Sequence, residues 1–395
     1  MNENKNIFAL GDLSYHKKNP LVIAELGASG NGDIVKTREM IAAASSSGAD
    51  CVKFQMVLAD EILHPNTGEV ILPGGRIPLF ERFKTLEAPP EFYGEIKEYA
   101  ESLGLLFLCT PFGLKSASIL LELKPKFIKI ASPELNFTGL LEKIAASGLP
   151  TLLSTGVSTL GDIENAIEIV RGRGNLGIGD YPDTTPRPLS NWGFAGVSQI
   201  CLLHCVTAYP APETDYNLRV LPNLAGVFGT PVGVSDHSLD PEIIPSLAVS
   251  AGASVIEKHF CLSRKGEGLD DPIALEPRDF SKMTLAIRRA AEMEPEDTIR
   301  EYAKEKGKEL IERILGDGVK KLAQSEKENY ATTNRSIHAA RDIAQGSILK
   351  KGDYAVLRTE KNLRPGLDPR WEKALEGRTA KTFIPAGEGI RFEDI

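Results

Sequence analysis

Six histidines occur in the 395 residues, and two of them close matching stretches. Ser235-Asp236-His237 ends one short apolar run, and Glu257-Lys258-His259 ends the next. Neutral imidazoles at such positions bind a divalent cation or pass protons on; equally, they serve as ordinary hydrogen-bonding groups. Two protein imidazoles leave positions open for water and substrate, as Lewis-acid chemistry requires. Lys53 and Lys129 interrupt other apolar runs, with no obvious acid beside them. A buried cation needs a partner, and an anion held between the two would serve both. Thr110, Ser132, Ser154 and Ser235 add hydroxyls, which makes a phosphate-and-carboxylate cradle without a P-loop. Glu25 and Glu134 are available as acid, base or hydroxyl acceptor. Asp270 and Asp271 form a further acidic site past His259.

The elements that position these residues are legible as apolar runs alternating with amphipathic stretches. The runs begin at Leu21, Cys51, Leu105, Phe127, Thr151, Ile200, Val232 and Ser254. Helical periodicity separates most of them, for example over Ile34 to Ser47, Pro90 to Leu103 and Leu160 to Arg171. Such alternation implies parallel strands with crossover helices. Eight strands in about 240 residues fit an α/β (β/α)8 TIM barrel. The competing doubly wound sheet would carry a phosphate fingerprint after its first strand, but Gly27-Ala28-Ser29-Gly30-Asn31-Gly32 lacks the GxGxxG spacing.

What ends each run decides for the barrel. In order these residues are Glu25, Lys53 with Gln55, Thr110, Lys129 with Ser132, Ser154, His204, Ser235 with His237, and Glu257 with His259. A barrel carries its active site on the C-terminal face of its strands. Lys53 and Gln55, Ser235 and His237, Glu257 and His259 are each two residues apart and so project to one side of a strand. Singly, a serine after a strand is as readily a turn former or helix cap. Lysines inside apolar strands resist that bland explanation.

Composition bounds the function classes. Charged residues make up 25% and hydrophobic residues 42% of the chain, the texture of a globular protein. A net charge of −8 argues against a broad nucleic-acid surface. Five cysteines form no CxxC and read as reduced, buried thiols of a cytoplasmic protein; Cys201 and Cys205 flank a strand as core residues more readily than as metal ligands. The polar N-terminus lacks a signal-peptide core, and no stretch reaches the ~18 apolar residues of a membrane span.

Taken together, Val22-Ile23-Ala24-Glu25-Leu26-Gly27, Lys53-Phe54-Gln55, Thr110-Pro111-Phe112, Lys129-Ile130-Ala131-Ser132-Pro133-Glu134, Ser154-Thr155-Gly156, His204-Cys205 through Tyr209-Pro210, Ser235-Asp236-His237 and Glu257-Lys258-His259-Phe260 resemble the sialic acid synthase family. The resemblance implies condensation of phosphoenolpyruvate with N-acetylmannosamine or a related N-acyl hexose, assisted by Mn2+ or Mg2+ on His237 and His259. It further implies that Lys53, Thr110, Lys129, Ser132, Ser154, Thr207 and Ser235 hold phosphoenolpyruvate. Glu25, Gln55, Tyr209 and Asp270 would meet the sugar, and Glu134 would orient or activate water. Glu25, Lys53, Lys129 and Glu134 are the implied catalytic set. Two departures stand out: many relatives carry Thr-Asn or Thr-Ser where this chain has Val206-Thr207, and Pro where it has Leu269.

The resemblance extends into the tail. The catalytic barrel is expected over 1–282, a charged helical linker over 283–328, and a small β-rich module resembling the SAF (antifreeze-like, β-clip) domain over 329–395. In the family that module reaches over a partner's barrel, which implies a domain-swapped homodimer and brings Arg335 to the sugar's acyl group; a plain surface ion pair is the bland alternative. The Met56 to Ala88 loop is a candidate lid, and the Gly- and Pro-rich 172–191 insertion a surface loop on the opposite face. A legionaminic or pseudaminic acid synthase, acting on a diacetamido hexose, is the runner-up within the class. A non-catalytic sugar- or ice-binding protein would not keep Lys53, Lys129, Glu134, His237 and His259 together.

Overall fold

A computed structural model describes residues 6–28, 30, 32–72, 75–172, 197–266 and 268–395. Its centre is a sheet of eight parallel strands: β1 (Leu21–Gly27), β2 (Cys51–Met56), β3 (Leu106–Pro111), β4 (Ile128–Ile130), β5 (Thr151–Ser154), β6 (Ile200–Cys205), β7 (Val232–Asp236) and β8 (Val255–His259). They are hydrogen-bonded in the order β3-β2-β1-β8-β7-β6-β5-β4. The two end strands, β3 and β4, lie side by side and complete the barrel.

Strand alternation sorts the side chains into two cores. Outward residues such as Val22, Ala24, Val52, Phe107, Ile128, Leu202 and Val234 pack under the helices. Inward residues Leu21, Ile23, Cys51, Leu108, Phe127, Leu152, Cys201, Leu203 and Val255 fill the lower barrel. A short hairpin (Ile7–Leu10 with Leu13–Tyr15) inserts Phe8, Leu10 and Tyr15 into that inner core and plugs the bottom. Reading the N-terminus as simply polar missed this plug. Near the floor Gly233 takes an inward position where no side chain fits, because a Cβ there would lie 2.3 Å from the Val255 carbonyl oxygen.

The helices that cover the barrel follow from local signals. Ile34–Ser46 is N-capped by Asp33, whose carboxylate accepts from Val35 and Lys36 N–H. Pro90 opens Pro90–Ser102, and Thr159 with Asp162 forms the capping box of Leu160–Val170. Helix Pro277–Glu292 runs through the expected boundary at residue 282 and is tied back to the barrel by the Thr284 hydroxyl, which donates to the Ser47 carbonyl. No helix among the described residues is long and apolar enough to cross a membrane, and all five cysteines are free and buried.

Two further helices (Pro295–Lys306 and Lys308–Leu315) lead to the C-terminal module. There β9 (Arg335–Ala339) pairs antiparallel with β10 (Tyr354–Arg358) over a core that includes Ile337, Ile343, Leu349 and Ile384. The module covers the C-terminal face of its own chain's barrel. Asn136 Nδ2 donates to the Arg335 carbonyl at 2.9 Å, and the Thr67 hydroxyl to the Thr359 carbonyl at 3.0 Å. Within this chain Arg335 lies over its own barrel's site, where the expectation placed it over a partner's. The described parts of the expected lid, 56–72 and 75–88, pack Val57, Ile62, Leu79 and Phe80 into one apolar cluster with Phe112, under the module. The 172–191 insertion, apart from Gly172, and Asn31 lie outside the described residues.

Candidate active site

The upper inward positions of the strands carry the polar residues, and their charges alternate. Glu25 on β1 accepts from Gln55 Nε2 at 2.6 Å and faces Lys53 Nζ at 2.9 Å. Lys53 lies 3.4 Å from Glu257 on β8. Lys129 on β4 donates to both Glu257 oxygens, at 3.0 and 2.9 Å, and the Ser235 hydroxyl donates to Glu257 at 2.8 Å. The two lysines therefore do have acids beside them, contrary to the sequence expectation. Glu25 faces Lys53 from the neighbouring strand, and Glu257 comes from the strand farthest along the barrel sequence. Glu257 was seen only as a strand-end residue and not as part of the site; its spacing two before His259 was the available signal.

Electrostatics follows from the burial of this row. Burial disfavours charge on Glu257, but Lys129 and Lys53 outweigh it and hold the carboxyl far below its usual range. Burial likewise opposes the Lys53 cation, and the two carboxylates more than reverse it. Lys129 is pushed down, because burial and the neighbouring Lys53 exceed the pull of Glu257.

Beside this row lies a corner of small groups and hydroxyls. The Ser132 hydroxyl accepts from Gly156 N–H at 3.0 Å. A Cβ on Gly156 would meet Thr207 Oγ1 at 2.2 Å and Ser132 Oγ at 2.9 Å, so glycine is what keeps the corner open. Thr110 Oγ1, Ser154 Oγ and Glu134 Oε2 are buried without a hydrogen-bond partner. Buried polar atoms are nearly always satisfied; orphans such as Thr230 Oγ1 and Thr298 Oγ1 occur elsewhere in the fold, but these three at the barrel mouth are placed where a ligand could take them.

Across the mouth stand the two imidazoles. His237 Nδ1 donates to the Val206 carbonyl at 2.9 Å, which leaves Nε2 as the free nitrogen. Its ring centroid is 5.4 Å from that of His259, and Tyr209, itself half exposed, stacks on it at 4.3 Å. His259 is pushed down to about 3, by burial first and then by His237 and Lys53 against the opposing pull of Glu25. Its imidazole is therefore neutral at ordinary pH, the form that a metal ligand requires. Burial opposes charge on His237 also, but Cys205, 3.8 Å from Nδ1, raises it to about 9, so loading a metal there would displace a proton. Asp270 Oδ2 lies 3.6 Å from His259 Nδ1. Among the described residues no three His, Cys, Asp or Glu are grouped so as to hold a metal ion. The two imidazoles alone would supply the protein's ligands to a divalent ion, whose other positions would be left to water and substrate. A Cβ on Gly27 would lie 3.4 Å from Asp270, 3.7 Å from Gln55 and 3.8 Å from Glu25, which brings these three expected sugar contacts to one spot.

The roof is formed by arginines. Arg335, fully buried, donates through Nε to Glu134 Oε1 at 3.1 Å and to the Glu61 and Phe112 carbonyls. Arg358, its cross-strand partner in register, donates to the same Glu134 oxygen at 2.7 Å. Arg358 was not foreseen. A surface ion pair for Arg335 is ruled out by its burial. Two of the singled-out residues, the strand-end His204 and the loop residue Asp271, do not join the site. His204 points outward, 2.6 Å from the Tyr216 carbonyl. Asp271 turns to its own loop, where it accepts from Gly268 N–H at 2.9 Å.

Comparison with known proteins agrees with this geometry. Residues 40–298 match the NeuB family, and residues 334–395 match the SAF domain. The chain is 32% identical to the N,N'-diacetyllegionaminic acid synthase of Legionella pneumophila over 95% of its length and 94% of that protein's. It superposes on the spore coat polysaccharide biosynthesis protein SpsE of Bacillus subtilis with a TM-score of 0.77 at 30% identity, covering 98% and 99% of the two chains. An N-acetylneuraminic acid synthetase from Leptospira borgpetersenii, in complex with citrate, aligns with a TM-score of 0.61 at 29% identity, covering 82% of this chain and 95% of that one. An (β/α)8 barrel with its strand-end motifs in order, followed by an SAF domain, makes this chain an enzyme of the NeuB family.

Proposed function

We propose that this enzyme condenses phosphoenolpyruvate with N-acetylmannosamine or a related N-acyl hexose, giving a nonulosonic acid and phosphate in the cytoplasm. The observation that carries the reading is the pair of buried hydroxyls without a partner, Thr110 Oγ1 and Ser154 Oγ, on the strands next to those of the buried lysines 53 and 129. Hydroxyls and ammonium groups that lack solvent await an anion, and phosphoenolpyruvate carries a phosphate and a carboxylate.

Lys53, Lys129, Thr110, Ser132, Ser154, Thr207 and Ser235 bind phosphoenolpyruvate, and the lysines turn from Glu257 toward it. Glu25, Gln55, Tyr209 and Asp270 orient the sugar's open-chain form. His237 and His259 would hold a divalent cation, Mn2+ or Mg2+, which when bound would supply Lewis acidity to the aldehyde. C3 of phosphoenolpyruvate forms the new bond to the aldehyde carbon, whose oxygen takes a proton. Water adds at C2 and phosphate leaves with the bridging oxygen. Glu134 accepts the water's proton at Oε2, since Oε1 is occupied by Arg335 and Arg358. The roof of arginines excludes bulk water, and the preorganised lysines stabilise charge that develops during reaction.

The similarity to a diacetyllegionaminic acid synthase supports a second reading with a diacetamido hexose as acceptor. Phosphate release from phosphoenolpyruvate, measured with N-acetylmannosamine, its 6-phosphate and diacetamido hexoses, tests both. Sugar-dependent release that needs Mn2+ or Mg2+ and stops with EDTA is expected. Release with no sugar at all rejects the synthase reading, and release unchanged by EDTA rejects the metal.

A further inference from the structure

The loop after β5 holds a conformation that its sequence does not favour. Val157 has φ +41° and is fully buried. A β-branched residue in the left-handed region persists only where its surroundings impose it. Here the surroundings are the linker. Glu326 Oε1 accepts from Val157 N–H at 2.8 Å, and Asn334 Nδ2 donates to the Val157 carbonyl at 2.9 Å. Lys320 Nζ donates to the Thr155 carbonyl at 2.8 Å.

The same carboxylate reaches the next loop. Glu326 Oε1 accepts from Thr207 N–H at 2.8 Å, and Asn329 Nδ2 donates to the Thr207 carbonyl at 3.0 Å. Glu326 is 1% exposed, and its other oxygen accepts from Ala323 N–H at 3.1 Å. These contacts address the main chain of the two loops that bring Gly156 and Thr207 to the hydroxyl corner. A Cβ on Gly156 would lie 2.9 Å from Ser132 Oγ and 3.1 Å from Glu326 Oε1, so corner and clamp stand back to back. A negative charge buried beside an anion cradle is unfavourable for filling space, but charge-assisted bonds to two N–H groups fix both loops at once.

We propose that Glu326 is a positioning residue of the anion cradle. The segment from Lys320 to Asn334, from the end of the linker into the start of the C-terminal module, holds the 155–157 and 205–207 loops in the shape that receives phosphoenolpyruvate, which couples the docking of that module to anion binding. The proposal rests on the reading of the site as a phosphoenolpyruvate site.

Calorimetric titration of the full chain with phosphoenolpyruvate and Mn2+, without sugar, tests it. Glu326→Ala leaves two buried N–H groups without an acceptor and is expected to weaken binding about tenfold or more, with the sugar KM within about twofold. Glu326→Gln keeps a carbonyl acceptor and should stay within about threefold of wild type. Wild-type binding by Glu326→Ala overturns the proposal. So does equal loss toward both substrates with no rescue by glutamine, which marks a merely structural residue. If Glu326→Ala does not fold, Asn334→Ala and Lys320→Met release the same loop; each should weaken phosphoenolpyruvate binding about fivefold, and wild-type binding by both overturns the proposal. Absence of binding by the wild type would reject the site reading itself.

Discussion

Lys129 and Glu257 are 128 residues apart in sequence, yet the ammonium donates to both carboxylate oxygens, at 3.0 and 2.9 Å, inside the barrel. Glu257 also takes Lys53 and the Ser235 hydroxyl. It is the group that keeps two buried cations tolerable while no anion is bound.

Glu257→Gln should therefore destabilise the free enzyme, by about 3 kcal/mol or more, as expected when one partner of a buried ion pair is removed. Urea denaturation measures this. Phosphoenolpyruvate should restore more stability to the variant than to wild type, because its anionic groups take over both lysines. A variant as stable as wild type without ligand would contradict the role.

Gly156→Ala addresses the hydroxyl corner. The added methyl would meet Thr207 Oγ1 and Ser132 Oγ. We expect kcat/KM for phosphoenolpyruvate to fall about a hundredfold, with a change in Tm of only a few degrees. Unchanged kinetics would move the anion elsewhere.

Arg335→Lys tests the roof. The guanidinium serves Glu134 and the Glu61 and Phe112 carbonyls from one planar fork, which an ammonium cannot reproduce. Trypsin should cut the linker about tenfold faster in the variant. Equal cleavage would show that other contacts seat the module.

Besides His259, two buried neutral histidines away from the proposed metal site set an acid limit. His338 donates from Nδ1 to the Gly387 carbonyl at 2.7 Å, with Nε2 2.8 Å from the Ser336 hydroxyl, and burial pushes it down to about 4. His204, likewise buried, is pushed down to about 3. Unfolded imidazoles titrate near 6.5, so between about pH 6.5 and 4 the unfolded chain binds protons that the folded protein refuses. Stability is thus full above that window and declines as pH falls through it, by about 3 kcal/mol for His338. His338→Gln should flatten part of that decline in denaturation at pH 7, 6 and 5.

Much of the barrel was readable because strand alternation is a local property. Lys53 with Gln55, Ser235 with His237, and Glu257 with His259 each project inward as their spacing implied. What spacing could not give were the pairings across the barrel. Lys53 finds Glu25, and Lys129 finds Glu257, because strand order and register bring them together. His204 occupies a strand end like the others but has outward parity, so its type misled where its position did not. Phe8, Leu10 and Tyr15 lie in a segment too short for a periodic signal, and only the open barrel floor explains their burial. The seating of Arg335 over its own barrel and the Glu326 clamp depend on domain docking, which no local pattern encodes.

The central claim is that phosphoenolpyruvate loses phosphate by C–O cleavage while C3 joins the acceptor sugar. Phosphoenolpyruvate labelled with 18O in the bridging position tests this most directly, with mass spectrometry of the products formed in Mn2+ and the best acceptor sugar. The account predicts that the label appears in the released phosphate and that the sugar acid carries none. Label retained in the sugar acid, or phosphate released without a new carbon–carbon bond, would contradict it.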